Sequence, residues 1–265
     1  MRALAQVVAA GAITPVGLGS VETAFSHRAA AAAMREAPLV DPEGEPVTMC
    51  FVPVLDPSLA GVPRAAALGA RALAEVIGKL GPQAASLRAR VVVAADEALA
   101  RKAQDGTIPA AALGAALRQA TRATWPDLEI EVVPRGAAAP GYFLPGLAAA
   151  LASGQIEVAL AGGVHTDHDQ ERITELAEAG RLFTPDRLDS LIPGEAAAFV
   201  ALMREDTARR LGLAARAVIG AQVGAEEIEE VEEDAGGGEG QGAHEGPAVA
   251  GAEAEDGIER AVGGG

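Results

Sequence analysis

Apolar residues in this chain come in short runs, and the runs alternate between the period of a strand and that of a helix. Residues 4–10 (LAQVVAA), 47–54 (VTMCFVPV), 90–96 (RVVVAAD), 128–133 (LEIEVV), 156–161 (IEVALA), 196–203 (AAAFVALM) and 214–223 (AARAVIGAQV) read as strands. The 90–96 run is continuous and β-branched, as expected of a strand buried on both faces. The 128–133 run alternates apolar with acidic residues, which suits an edge or a half-buried face. Pro53 places 47–54 near an edge or at a strand end. Between the strands, helices are expected over 21–33, 64–80, 108–124, 168–179 and 204–211, with a further one ending at Ala152. Ser20 is placed to cap the first, and Gly81 to end the second. Pro140 and Pro145 delay the helix that ends at Ala152 until near Leu144. This alternation implies an α/β fold: a mostly parallel five-stranded sheet with helices on both faces.

From Ala225 the periodicity stops. Glycine runs and acidic runs take over, so 1–224 reads as one domain and 225–265 as a disordered acidic tail.

Composition adds three constraints. Of 265 residues 49% are hydrophobic and only 3% aromatic, so the core is built from Ala, Val, Leu and Ile. The net charge is −16; residues 225–265 hold 13 acidic side chains and one Arg, a share of −12 that leaves −4 for the body. Neither part has the basic surface that nucleic acid or an anionic membrane would attract. Cys50 is the single cysteine, so no intrachain disulfide forms and a reducing cytoplasm is the expected setting. Cys50 itself reads as a buried, inert strand residue. No apolar run reaches the roughly 20 residues of a membrane span. The apolar start "MRALAQVVAAGAITPVGLG" has a weak charged region and meets a Thr-Pro turn early; it reads as a buried strand rather than a signal peptide.

Four segments, in order, resemble the N-terminal half of the β-ketoacyl-ACP synthase family of the thiolase-like superfamily. They are "VVAAGAITPVG" (7–17), "SGQIEVALAGGVHTD" (153–167), "AGRLFTPDRLDSLIPGEAAAFVALM" (179–203) and "LAARAVIGAQVGAE" (213–226). Ala9 stands where the family's opening motif has its first Gly. The resemblance implies a thiolase-like half and an acyl-chain setting, fatty-acid or polyketide synthesis. It places Ala138, between Ala137 and Ala139, where the family keeps its nucleophilic Cys; a methyl group cannot attack a thioester. With the helix starting late, the positive end of its dipole also lies away from Ala138. The family's catalytic histidines and lysine come from a second half. After residue 224 this sequence offers one histidine, His244 in "GAHEG".

Other candidates have a bland reading beside the functional one. His165 and His168, with Asp167 and Asp169, form a weak metal-ligand constellation; the bland reading is a polar loop capping a helix. Glu195, in "PGEAA", is expected to satisfy backbone donors. "GAITPVGLG" is neither a dinucleotide fingerprint nor a phosphate loop, so no cofactor is expected. The reading that results is a non-catalytic ketosynthase-like protein acting through association. Its expected partner is a second copy or an intact ketosynthase, with acyl carrier protein as a further candidate. The alternatives are a residual acyltransferase or hydrolase completed by a partner, or a structural module unrelated to acyl chemistry. The expected contacts are the apolar helix with Leu144, Leu147 and Leu151, and the edge strand with Leu128, Ile130 and Val132.

Overall fold

The computed structural model describes residues 5–100 and 108–219. The tail expected to be disordered, and the last four residues of the last expected strand, lie outside them. Strands β1 (Ala5–Ile13), β4 (Ala89–Ala95), β5 (Glu129–Pro134), β6 (Val158–Thr166), β7 (Glu195–Met203) and β8 (Ala217–Ile219) form one six-stranded sheet in the order β5-β4-β6-β7-β1-β8. The sheet has six strands where five were expected, because the last run, 214–223, joins it as the three-residue edge β8. On one side β4 runs parallel to both β5 and β6. On the other side, β6–β7, β7–β1 and β1–β8 are antiparallel. Four strands therefore point one way, and β7 and β8 point the other.

The β4 valines show how the sheet is dressed. Val91 and Val93 enter the larger core, while Val92 enters a second core on the opposite face. The larger core is covered by α2 (Gly61–Leu80) and α3 (Pro109–Thr121). The α2 stripe Ala65, Leu68, Ala72, Leu73 and Val76 recurs at three and four residues, the spacing that faces one side of a helix. Its small members bring the helix close to β1. A Cβ at Gly11 would lie 2.2 Å from the Ala72 carbonyl oxygen, so glycine is required there. The second core is covered by α4 (Ala139–Ser153), which packs on β4, β6 and β1.

Several local expectations are corrected. The residues of 47–54 do not join the main sheet: β3 (Pro46–Cys50) pairs with β2 (Met34–Val40) in a separate hairpin. Pro38 had hidden β2 by interrupting its pattern. Helix α1 (Ser20–Arg28) starts after Gly19, and the Ser20 hydroxyl turns away from the helix to Glu75 and the Ala10 carbonyl. Helix α4 begins at Ala139 rather than near Leu144, with Pro140 in its first turn and Pro145 inside it. Proline costs least in a first turn, as at Pro140, whereas Pro145 has no N–H to give to the Gly141 carbonyl. Helices α5 (Gln170–Glu178) and α6 (Glu205–Arg210) lie where they were expected.

Candidate functional site

Strand β5 runs to Pro134, and a short 3-10 turn, Gly136–Ala138, feeds α4. Gly136 takes φ +55°, a left-handed conformation that makes the turn tight. Ala138 is the residue before the first helical one, with φ −79° and ψ −17°, and no side chain caps the helix. The expectation that the prolines move the helix away from Ala138 is therefore wrong. The uncapped N–H groups and the positive end of the α4 dipole sit beside it. What this turn presents there is a methyl group. Cys50, the chain's one thiol, ends β3 in the other sheet. It is half-buried rather than buried, and burial pushes its pKa up, with Arg35 opposing.

The α4 surface is divided. Leu147 and Leu151 are 3% and 0% exposed and pack on the chain's own sheet, with Ala150. They are not contact residues for a partner, and Leu144 is only partly exposed. The face turned outward is Gly141, Tyr142, Pro145, Gly146, Ala149 and Ala152. It has no charge; Tyr142 is 62% exposed, and its ring lies under the Arg135 guanidinium at 4.5 Å. The edge strand is corrected likewise. Leu128 and Ile130 are buried in the larger core and Val132 is half-buried, so β5 offers an edge of backbone rather than these side chains. Arg118 donates to the Ile130 carbonyl at 3.0 Å, and Glu129 and Glu131 are exposed, features that guard an edge.

The weak metal constellation does not assemble. His165, at the exposed end of β6, places Nε2 3.1 Å from Asp167 Oδ2 and Nδ1 3.8 Å from Asp96 Oδ2. Its bond to Asp167 pushes the imidazole pKa up, against the effect of burial. Asp167 is buried and accepts from Arg172 Nε at 3.2 Å and the Gly194 N–H at 3.1 Å. Burial alone would raise its carboxyl; His165, Gly194 and Arg172 outweigh that and lower it. Asp169 caps α5, accepting from the Glu171 and Arg172 N–H groups. His168 is buried with both ring nitrogens unpartnered, 5.9 Å from the Phe51 ring, and burial and the Arg64 charge push its pKa down. The two histidines thus serve different neighbourhoods. Among the described residues, no group of three His, Cys, Asp or Glu side chains is placed to hold a metal ion.

His165 and Asp167 border a cavity of about 290 Å³ whose apolar lining includes Val62, Ala65, Leu99 and Val164. It lies at the C-terminal ends of β4 and β6. Thr166 lines it, but its hydroxyl donates to Glu195. The geometry can hold a proton on His165; it offers no free nucleophile among the described residues. Sequence reasoning missed Asp96 and Arg172. The signals were present: Asp96 ends a buried parallel strand, and Arg172 stands in the first turn of a capped helix, five residues after Asp167.

Glu195 is a structural clamp, held chiefly by side-chain donors where backbone donors were expected. Its carboxylate takes a bidentate pair from buried Arg64 at 2.6 and 2.7 Å, the Val52 N–H at 2.7 Å and the Thr166 hydroxyl at 2.8 Å. Arg64 also donates to the Val52 carbonyl. One ion pair thereby ties β7, β6, α2 and the segment after β3 together.

No protein-family model matches the sequence, and no curated protein matches it. Solved structures do. The ishigamide ketosynthase/chain length factor superposes with a TM-score of 0.63 at 21% identity, over 83% of this chain and 62% of that one. The fold is that of the ketosynthases. The oxazolomycin ketosynthase domain of Streptomyces albus JA3453 matches with a TM-score of 0.59 at 16% identity, over 81% of this chain and 46% of that one. A type II polyketide acyl-carrier protein in complex with its hexaketide-bound ketosynthase matches at 0.60 and 16%, over 81% and 61%. The chain thus spans less than two thirds of these ketosynthases. Among its described residues, no helix is long and apolar enough to cross a membrane.

Proposed function

We propose that this chain is a non-catalytic ketosynthase-like protein that works by association, in polyketide or fatty-acid assembly. Its partner is an intact ketosynthase chain or a second copy. The observation that carries the reading is Ala138. It occupies the position before an uncapped helix where the resemblance puts the nucleophile, and it has no atom that can attack a thioester. The surroundings are those a reactive thiol would need: a tight turn, a helix dipole and free N–H groups. The outer face of α4 supports the second part. A helix without charge on any face expects cover all round, and among the described residues the chain's own sheet covers one side only. The solved structures that share the fold include a ketosynthase/chain length factor and a ketosynthase–carrier complex, which supports the setting.

The test is intact-mass analysis after incubation with acyl-CoA or acyl-carrier thioesters. No acyl-enzyme is expected. A stoichiometric adduct mapping to residues 136–145 would overturn the reading.

A further inference from the structure

A groove of about 830 Å³ lies far from α4 in the chain order of its walls, between the β2–β3 hairpin and the segment that leaves α5. Its floor is apolar. Val47 and Leu182 are buried there in a small core with Ile173 and Leu176, and half-buried Phe183 lines the groove beside them. Its walls are acidic: Glu36, Glu43, Glu45, Glu178 and Asp186 line it, all exposed. Asp41 also lines it but is used within its own loop, accepting from the Glu43 and Glu45 N–H groups. Arg187 is the one cation among the described lining residues, so six acids and one base give the groove −5.

Two observations decide what such a groove takes. First, its five wall carboxylates make no ion pair among the described residues. Other surface acids such as Asp127 and Glu131 also make none among the described residues, but here five line one groove. Like charges left facing one another across low-dielectric walls repel in the free chain, and their field is focused in the groove. A cationic occupant relieves this. Second, a compact divalent ion does not match: among the described residues no three carboxylates converge. Charges spread along the walls and an apolar floor between them call for an occupant with spaced cations and an apolar side chain.

We propose that this groove docks a basic segment of a partner protein, with Arg or Lys side chains set around an apolar one. It is a surface separate from α4, and it stands whether or not the association through α4 does.

The test uses the full chain and a fluorescein-labelled peptide of alternating Arg and Leu, followed by fluorescence anisotropy, with a Glu–Leu peptide as control. Tight binding of the Arg–Leu peptide alone is expected. Reversing three wall charges (Glu43→Lys, Glu45→Lys, Glu178→Lys) should weaken it by about tenfold or more, since each removes an attraction and adds a repulsion. The same reversal in the acidic tail (Glu229→Lys, Glu230→Lys, Glu232→Lys) should change it by less than about twofold. Phe183→Ala, which alters no charge, should weaken it by about threefold or more through the lost apolar contact. Equal losses from groove and tail would overturn the proposal, as would an indifferent Phe183→Ala, because either marks general attraction to an acidic protein. Displacement of the peptide by micromolar calcium would overturn it in favour of a cation site. A dimer in light scattering that the groove reversal dissociates would overturn it in favour of a second copy.

Discussion

At the scale of single residues, two carboxylates hold the fold by opposite means. Glu75, on α2, receives the Ala12 N–H at 2.8 Å, the Ser20 N–H at 3.0 Å and the Ser20 hydroxyl at 2.9 Å, and it pairs with Lys79. It thereby pins the turn between β1 and α1. Burial alone would raise its carboxyl; Lys79 and the Ala12 and Ser20 donors outweigh this and lower it from 4.5 to about 2. A folded-state value below the unfolded one stabilises the protein fully above pH 4.5, and that contribution is lost as pH falls through about 2. Glu75→Gln should therefore lower Tm at neutral pH, and the gap to the parent protein should close between those two values. A gap independent of pH would show that the carboxylate charge is not what holds the turn. Arg64 and Glu195 are a different case, because both are sealed from water at 1% and 0% side-chain exposure. Removing one partner leaves a buried charge with too few donors. Arg64→Met should cost about 3–5 kcal/mol in urea denaturation. The double variant with Glu195→Gln should recover part of that loss.

At the scale of elements, α4 is the helix on which the proposed association rests. Its inner face is Leu147, Ala150 and Leu151; its outer face is glycine, alanine, proline and a single tyrosine. The two faces make separable predictions. Leu147→Glu would bury a charge against Val92 and Ala159, and should lower stability by about 3 kcal/mol or more. Ala149→Glu points outward and should change stability of the unassociated chain by less than about 0.5 kcal/mol. If α4 is the docking face, Ala149→Glu should abolish association in light scattering or in capture of an intact ketosynthase. Unchanged association would move the interface elsewhere. The β5 edge is the weaker candidate. Its two exposed glutamates would face like charges in a paired strand, and Arg118 already occupies one of its carbonyls.

At the scale of the molecule, the sheet is unevenly dressed. One face carries two helices and the larger core. Among the described residues the other carries α4 alone, with Val7, Val133, Val200 and Ile219 partly exposed beside it. The proposed association rests on this asymmetry. The hairpin and the segment after α5 form a third surface of opposite character, acidic where α4 is apolar.

The order of elements, the double burial of β4, the α2 stripe and the capping of the α5 helix were legible in the sequence, because each rests on a periodicity or a cap a few residues long. What tertiary structure alone decided was the destination of side chains across long separations. Arg64 meets Glu195 across 131 positions, and Glu75 meets Ser20 across 55. Nothing local marks such pairs. The same holds for His165 and His168, three apart in sequence but on the two sides of a strand end, one exposed and one buried. A helix apolar on every side has no periodicity from which to read its inner face, so only packing could turn Leu147 and Leu151 inward. Prolines near a helix start mark two possible starts, and the helix takes the earlier one, with Ala139 fully buried.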